Sequence, residues 1–134
     1  MRDYISDMLV RIKNGQKVGL ASTELHVTTP KSCVKILDIL TKEGFIYGYE
    51  EVFGQTAKSK VIRVILKYNA VGVPAISNIF RISTPGRRIY VSTKALWKPK
   101  TTTGIFILST PKGFHTDRDA RFLNLGGELI CGVY

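Results

Sequence analysis

The hydrophobic pattern of this chain changes once, near residue 70, and that change constrains the fold most. Before it, two segments repeat apolar residues at the spacing of one helix face: Ile5, Met8, Leu9 and Ile12, then Cys33, Ile36, Leu37 and Leu40. After it, short apolar runs alternate with turns that contain Pro and Gly, which is typical of strands. The segment between them, NAVGVP from Asn69 to Pro74, has the composition of a linker. We therefore predict two small domains, 1–70 and 71–134.

The first domain is predicted to place two helices on a short β-sheet. Its helices are bounded by residues that begin and end helices: Asp3 and Asn14-Gly15 for the first, Thr29-Pro30 and Gly44 for the second. Its strands are expected at Leu25–Val27, Phe45–Phe53 and Val61–Tyr68. The last two strands are joined by the polar loop GQTAKSK, which predicts a hairpin.

The second domain is predicted to be mainly β, with short helices, so the fold class is α+β. The expected strands are RRIYV after the Pro85-Gly86 turn, GIFILST and the closing ELICGVY. Short helices are expected at Thr93–Trp97 and from the capping box Thr116–Asp119 to Gly126. A hydrophobic content of 44% is sufficient for a packed core in both domains.

The charge of the chain is segregated along the sequence. The net charge is +10, and no acidic residue occurs between Val52 and Thr116, where eleven Lys and Arg residues lie. The remainder carries nine basic and ten acidic residues. A one-signed stretch of this length favours a polyanionic partner, because each phosphate contact releases counterions.

The sequence gives little support to a catalytic function. Ser109, His115 and Asp117 have the residue types of a hydrolase triad, but Ser109 precedes a proline and has no flanking elbow glycines. Asp117 is better explained as an acid in the first turn of a helix. Neither G-x-x-x-x-G-K-[ST] nor G-x-G-x-x-G occurs, so we expect no nucleotide-binding loop. We predict that the chain is not an enzyme and uses no small-molecule substrate or cofactor.

The sequence gives equally little support to a metal site, a disulfide bond or a membrane-spanning segment. The residues that could bind a metal lack metal-site spacing: His26, Cys33, His115 and Cys131. Both cysteines are predicted to be buried thiols. No apolar run is long enough to span a membrane, and the N-terminal MRDYISDMLVRIKNG lacks the features of a secretory signal.

A structured RNA is the partner that accounts for most of the polar and charged residues in the second half of the chain. Ser109 and Thr110 carry hydroxyls that can meet a sugar 2′-OH or a base edge. Lys112 offers a phosphate contact, and Tyr90 either stacks on a base or packs in the core. Gly126-Gly127 allows a second backbone to come close, and the acidic Glu128 favours selectivity over affinity.

Several motifs in fixed order resemble one family. RDYISDMLVRIKNGQ, PKSCVKILDILTKEGFI, STPGRRIYV, STPKGFHTDRDAR and LGGELICGVY are similar to ribosomal protein eight of the small subunit, bacterial type. The resemblance runs from end to end. It implies a two-domain, non-enzymatic protein that binds the central domain of small-subunit ribosomal RNA directly, early in assembly, beside neighbouring small-subunit proteins.

The resemblance also implies an RNA-binding site. The family signature Ser-Thr-Ser-Lys-Gly is matched by Ser109, Thr110, Lys112 and Gly113, while Pro111 replaces the third hydroxyl. The other positions implied are Arg87, Arg88, Tyr90, Gly126, Gly127 and Glu128, with Lys31 and Lys35 on the second helix. The alternative is a protein-interaction module without direct RNA contact.

Pro111 and the unusual Phe114-His115 pair favour a lineage with altered RNA. We therefore expect a ribosome of a mitochondrion, in preference to a bacterial cytoplasm or a plastid.

Overall fold

A computed structural model of the chain describes residues 3–25, 30–53, 60–96 and 104–134. The chain forms two compact units: Tyr4–Ser77, here the N-terminal unit, and Asn78–Tyr134 with Asp3, here the C-terminal unit. Helices and antiparallel sheets confirm the α+β class. The domain boundary at residue 70 stays a prediction.

Within the described residues, the N-terminal unit contains two helices and three strands. They are α1 Tyr4–Val18, β1 Ser22–Leu25, α2 Lys31–Lys42, β2 Ile46–Phe53 and β3 Lys60–Leu66. The strands form one antiparallel sheet in the order β1-β3-β2. The apolar stripes of both helices are buried with alternate residues of β3: Met8, Leu9, Ile12, Cys33, Ile36, Leu37, Leu40, Ile62, Val64 and Leu66. This core follows from the helical and strand periods of the sequence.

Helix α1 is longer than the sequence predicts. It passes through the expected stop at Asn14-Gly15 and ends at Val18, so that prediction is wrong. Gly15 is buried instead, and a Cβ there would lie 3.1 Å from Leu66 Cδ1. The residue that stops the helix is Gly19, whose φ of +87° belongs to the left-handed region and whose N–H donates to the Gly15 carbonyl at 3.1 Å.

The other elements of the N-terminal unit follow the predictions more closely. Pro30 is the N-cap of α2 rather than its first residue, and the expected Thr29 cap lies outside the described residues. Gly44 follows the C-cap with a φ of +82°, as expected of a residue that ends a helix. The predicted hairpin of β2 and β3 is confirmed, although its loop lies outside the described residues. Strand β1 lies earlier than predicted, and Val27 falls outside the described part of the chain.

The described residues of the C-terminal unit form five strands and two short helices. They are β4 Ile79–Arg81, β5 Tyr90–Val91, α3 Thr93–Leu96, β6 Ile105–Thr110, β7 Gly113–Thr116, α4 Asp117–Phe122 and β8 Gly127–Val133. The sheet has the order β4-β8-β6-β7, and β5 also pairs with β8. Strand β8 therefore holds the sheet together. Trp97, the predicted end of α3, lies outside the described residues.

One face of this sheet is covered by α3 and α4. Leu108 and Leu129 are directly paired across β6 and β8, and both belong to a core cluster with Leu96 of α3 and Ala120 of α4. Side chains alternate between the two faces of a strand. The residues next to Leu108 and Leu129 in the sequence therefore point to the opposite face.

Both ends of α4 have identified caps. The Thr116 hydroxyl accepts a hydrogen bond from the Asp119 N–H at 3.2 Å, which confirms the predicted N-cap. The predicted stop at Gly126 is wrong, because α4 ends at Phe122 and Asn124 takes the left-handed conformation with a φ of +54°. Asparagine tolerates this conformation because its short polar side chain bonds locally.

Three predictions concern disulfides, metals and membranes. Cys33 and Cys131 are both buried, and no disulfide joins them. Among the described residues, no cluster of His, Cys, Asp or Glu has the arrangement of a metal site, and His26 lies outside them. No described helix combines the length and the apolar content needed to cross a membrane.

Candidate nucleic-acid interface

Strand register brings three predicted site residues into one row. Tyr90 of β5 pairs with Glu128 of β8, and Glu128 pairs on its other side with Ser109 of β6. Directly paired residues in antiparallel strands project from the same face with neighbouring Cβ atoms. We call Tyr90, Glu128 and Ser109 the central row. It lies on the face opposite Leu108 and Leu129, away from α3 and α4.

The side chains of the central row differ in exposure. Tyr90 is 70% exposed, so of the two readings left open by the sequence the structure favours an accessible ring over a core ring. Ser109 is half-buried. Glu128 keeps only 16% of its side chain exposed and pairs with Arg88, whose Nη1 donates to Glu128 Oε1 at 3.1 Å. The row therefore presents an aromatic ring, a paired carboxylate and a hydroxyl.

The turn between β6 and β7 carries the signature-like Ser-Thr-Pro-Lys-Gly. Thr110 is buried, and its hydroxyl donates to the Gly113 carbonyl at 2.7 Å and accepts from the Lys112 N–H at 3.3 Å. The Thr110 hydroxyl therefore stabilises the turn, and one acceptor lone pair remains. Pro111 and Lys112 are exposed at the tip. Gly113 has a φ of +108°, a conformation that L side chains rarely adopt.

The space beside the two consecutive glycines before Glu128 is occupied by the protein's own backbone. A Cβ on Gly127 would overlap the Ser109 carbonyl oxygen. A Cβ on Gly126 would lie 2.6 Å from the Val91 carbonyl oxygen, which is also too close. We expected these glycines to admit a second backbone, and that backbone is β6 and the end of β5. Their role in this structure is to let Glu128 sit between Ser109 and Tyr90.

A second basic turn lies beside the central row. Thr84 and Arg87 exchange two backbone hydrogen bonds of 3.0 Å around Pro85-Gly86, which forms the predicted tight turn. Buried Ser83 accepts from the Ile89 N–H at 2.7 Å and fixes the base of the turn. Arg87 and Arg88 are both exposed. The described part of the chain places no acidic side chain within ion-pair distance of Arg87.

Lys94 is a further exposed cation of the acid-free stretch and lies on α3. Because α3 covers the face of the sheet opposite the central row, Lys94 is not part of that row. Lys31 and Lys35 are exposed on α2 in the N-terminal unit, one helical turn apart.

The structure provides no hydrolase triad from Ser109, His115 and Asp117. His115 pairs with Leu108 while Ser109 pairs with Phe114, so Ser109 and His115 point to opposite faces of the sheet. Asp117 is 1% exposed, accepts from the Phe106 N–H at 3.2 Å and pairs with Arg121 at 3.3 Å. Asp117 is therefore a structural carboxylate.

The fold is that of a small α+β protein whose C-terminal sheet carries Tyr90, Glu128 and Ser109 in one row, with exposed cations in two of its turns. Sequence comparison gives the family: the family described as Ribosomal protein S8 matches residues 3–134. This chain therefore belongs to the ribosomal protein S8 family. The family consists of structural, non-enzymatic components, which confirms the prediction that the chain is not an enzyme.

Individual relatives match over nearly their full length. A protein named small ribosomal subunit protein uS8 from Brucella ovis is 43% identical, over 98% of this chain and 97% of the relative. The protein of the same name from Sphingopyxis alaskensis is 44% identical, over 100% of this chain and 98% of the relative. These relatives are bacterial and give no support to the mitochondrial preference. Pro111, one of the two features behind that preference, fits this turn as an exposed residue.

Proposed function

We propose that this chain is a constituent of the small ribosomal subunit that binds small-subunit ribosomal RNA directly and helps that subunit to assemble. The family supports the ribosomal role, since the relatives carry the name of a small-subunit protein. The RNA-binding face would comprise the central row, the turn of Thr110, Lys112 and Gly113, and the arginines of the second turn. Lys31 and Lys35 would add contacts from the N-terminal unit.

The observation that carries the proposal is the central row, in which Tyr90, Glu128 and Ser109 share one face. A ring can stack on an unpaired base, a carboxylate can accept from a base amino group, and a hydroxyl can bond a 2′-OH. Cations from the acid-free stretch, Arg87 and Lys112 among them, would contact phosphates and supply sequence-independent affinity. The arrangement suits a folded, irregular RNA helix, such as one in the central domain.

The neighbouring small-subunit proteins are further proposed partners. Phe122 and Leu123, at the end of α4, are 77% and 47% exposed. Adjacent exposed apolar side chains of this size favour contact with protein. They also give the alternative, a protein-interaction module without RNA contact, a specific surface. Binding that survives nuclease treatment and high salt would support that alternative.

Two substitutions separate affinity from selectivity. The RNAs are transcripts of the small-subunit central domain of Brucella ovis and a scrambled sequence of equal length. Lys112→Ala is expected to weaken binding of both RNAs alike and to lower the slope of log K against log salt by about one. Ser109→Ala is expected to narrow the preference for the central domain by about 1 kcal/mol, the net worth of one hydrogen bond.

Fluorescence anisotropy over a salt series measures both quantities. Lys13→Ala, on the exposed side of α1, is the matched control for loss of one positive charge. Equal binding of both RNAs by the unmodified protein contradicts direct, selective RNA binding. An unchanged salt slope for Lys112→Ala contradicts the phosphate contact.

A further inference from the structure

We infer that Arg88 acts on RNA through Glu128: it is a positioning residue that holds the Glu128 carboxylate for selectivity and is not itself a phosphate contact. The inference rests on the proposed function, because it concerns how the RNA-binding face works. It separates two neighbouring arginines, Arg87 and Arg88, that the sequence presents as equivalent.

The contact between Arg88 and Glu128 is the first step. Arg88 Nη1 lies 3.1 Å from Glu128 Oε1, within the range of an N–H···O hydrogen bond, and the two groups carry opposite charges. Glu128 is held at the centre of the sheet by pairing with Tyr90 and Ser109, and its side chain is 16% exposed against 43% for Arg88. Glu128 is thus the more buried member of the pair.

The energetics of the pair are the second step. An ionised carboxylate with this little exposure needs a compensating partner, since desolvation disfavours its charge. A phosphate that took Arg88 would leave the mostly buried Glu128 carboxylate without its cation and next to another negative group, which disfavours that exchange. Arg88 therefore remains on Glu128 when RNA binds.

The contrast with Arg87 is the third step. Arg87 is exposed in the same turn, and its backbone is fixed by two hydrogen bonds to Thr84. No carboxylate lies within ion-pair distance of Arg87 in the residues that the structure describes. A phosphate can bind Arg87 without breaking an existing pair, so Arg87 contributes to affinity and Arg88 to selectivity.

What Arg88 supplies to Glu128 is orientation. A carboxylate only accepts hydrogen bonds, and a base edge that donates an amino group requires its oxygen at a defined place. With Arg88 bonded to Oε1, the second oxygen, Oε2, would accept from the RNA donor. Tyr90 and Ser109 on either side then define which base can reach it.

A double-mutant cycle tests the inference in the full-length chain. The variants are Arg88→Ala, Glu128→Gln and the double variant, with Arg87→Ala as the matched control. The probes are the central-domain and scrambled transcripts defined above. Arg88→Ala is expected to lower the ratio of the two affinities about tenfold, the effect of one charge-assisted hydrogen bond, with an unchanged salt slope. In the Glu128→Gln background, the same substitution is expected to leave the ratio unchanged, because residues that act through one another are not additive.

The control and the conservative variant complete the test. Arg87→Ala is expected to weaken the binding of both RNAs equally and to lower the slope of log K against log salt by about one. Arg88→Lys keeps the charge without the planar fork and is expected to give an intermediate ratio with an unchanged slope, including when Arg88→Ala does not fold. Equal effects of Arg88→Ala in both backgrounds, or a loss of slope with either Arg88 variant, would overturn the inference. An unmodified protein without preference between the transcripts refutes the proposed function instead.

Discussion

Asp117 shows at the scale of one residue how a functional-looking side chain serves the fold. The sequence places it near Ser109 and His115, but its carboxylate accepts from the Phe106 N–H and pairs with Arg121. The same Arg121 Nη1 also donates to the Leu96 carbonyl at 3.3 Å. One buried carboxylate therefore ties β6, α4 and the end of α3 together.

We predict that Asp117→Ala destabilises the protein by about 3 kcal/mol. The substitution leaves the partly buried Arg121 without its counter-charge and the Phe106 N–H without its acceptor. Urea denaturation monitored by circular dichroism measures the change. Asp119→Ala, in the same helical turn, is the control and is expected to cost less than about 1 kcal/mol. Equal losses for the two variants would contradict a special role for Asp117.

Cys131 makes stability depend on alkaline pH. Burial raises the pKa of its thiol from 9.0 to about 12, although the positive charge of Arg81 partly opposes the rise. Because the pKa is raised in the folded state, the stabilisation is complete below pH 9.0 and is lost as the pH rises towards about 12. Between neutral pH and about pH 11, we predict that the free energy of unfolding falls by about 3 kcal/mol less in Cys131→Ala than in the unmodified protein. Urea denaturation at the two pH values measures this, and an identical pH dependence in the variant would refute it.

At the scale of elements, the periodic segments were predictable, but one short strand was not. The helices α1 and α2, the β2–β3 hairpin and the strands β6 and β8 all follow from apolar spacing in the sequence. Strand β7 was missed, because its four residues carry too little pattern. Gly15 and Gly126 were predicted to end helices, and both predictions were wrong. Each is a glycine because of close packing: Gly15 fits against Leu66 inside a helix, and Gly126 fits against Val91.

We predict that Gly127→Ala costs about 3 kcal/mol, because its Cβ would overlap the Ser109 carbonyl and force β6 and β8 apart. The displacement also disrupts the central row, so selectivity for the central-domain RNA is expected to fall with stability. Gly86→Ala is the matched control, since a Cβ there meets nothing within 4 Å and its expected cost is below about 1 kcal/mol. Thermal unfolding compares the two, and similar melting temperatures would contradict the close approach at Gly127.

At the scale of the whole molecule, the sequence predicts the kind of partner, and the structure gives the arrangement of the residues proposed to contact it. The acid-free stretch from Val52 to Thr116 indicates a polyanion without any coordinates. The central row could not be predicted in the same way, because Tyr90, Ser109 and Glu128 are brought together only by strand register. Register depends on turn geometry and on the bulge between Ile107 and Leu108, neither of which has a simple sequence pattern.

We predict that salt sensitivity comes from one part of the molecule. Replacing Arg87 and Lys112 together with Gln is expected to lower the slope of log K against log salt by about two. Replacing Lys13 and Lys17, which are exposed on α1, removes the same charge and is expected to leave the slope unchanged. Filter binding over a salt series measures both double variants. Equal slopes would mean that net charge alone, rather than a localised face, attracts the RNA.

The strand register also acts as a ruler. Tyr90 and Ser109 stand on either side of β8, so their backbones are separated by two strand spacings, about 10 Å. Successive nucleotides along a stacked strand are about 3.4 Å apart. That separation corresponds to about three such steps, so a stacked strand that contacted both ends would present several nucleotides in a fixed relative geometry. The sheet would thereby favour an RNA that is already folded over one without a defined conformation.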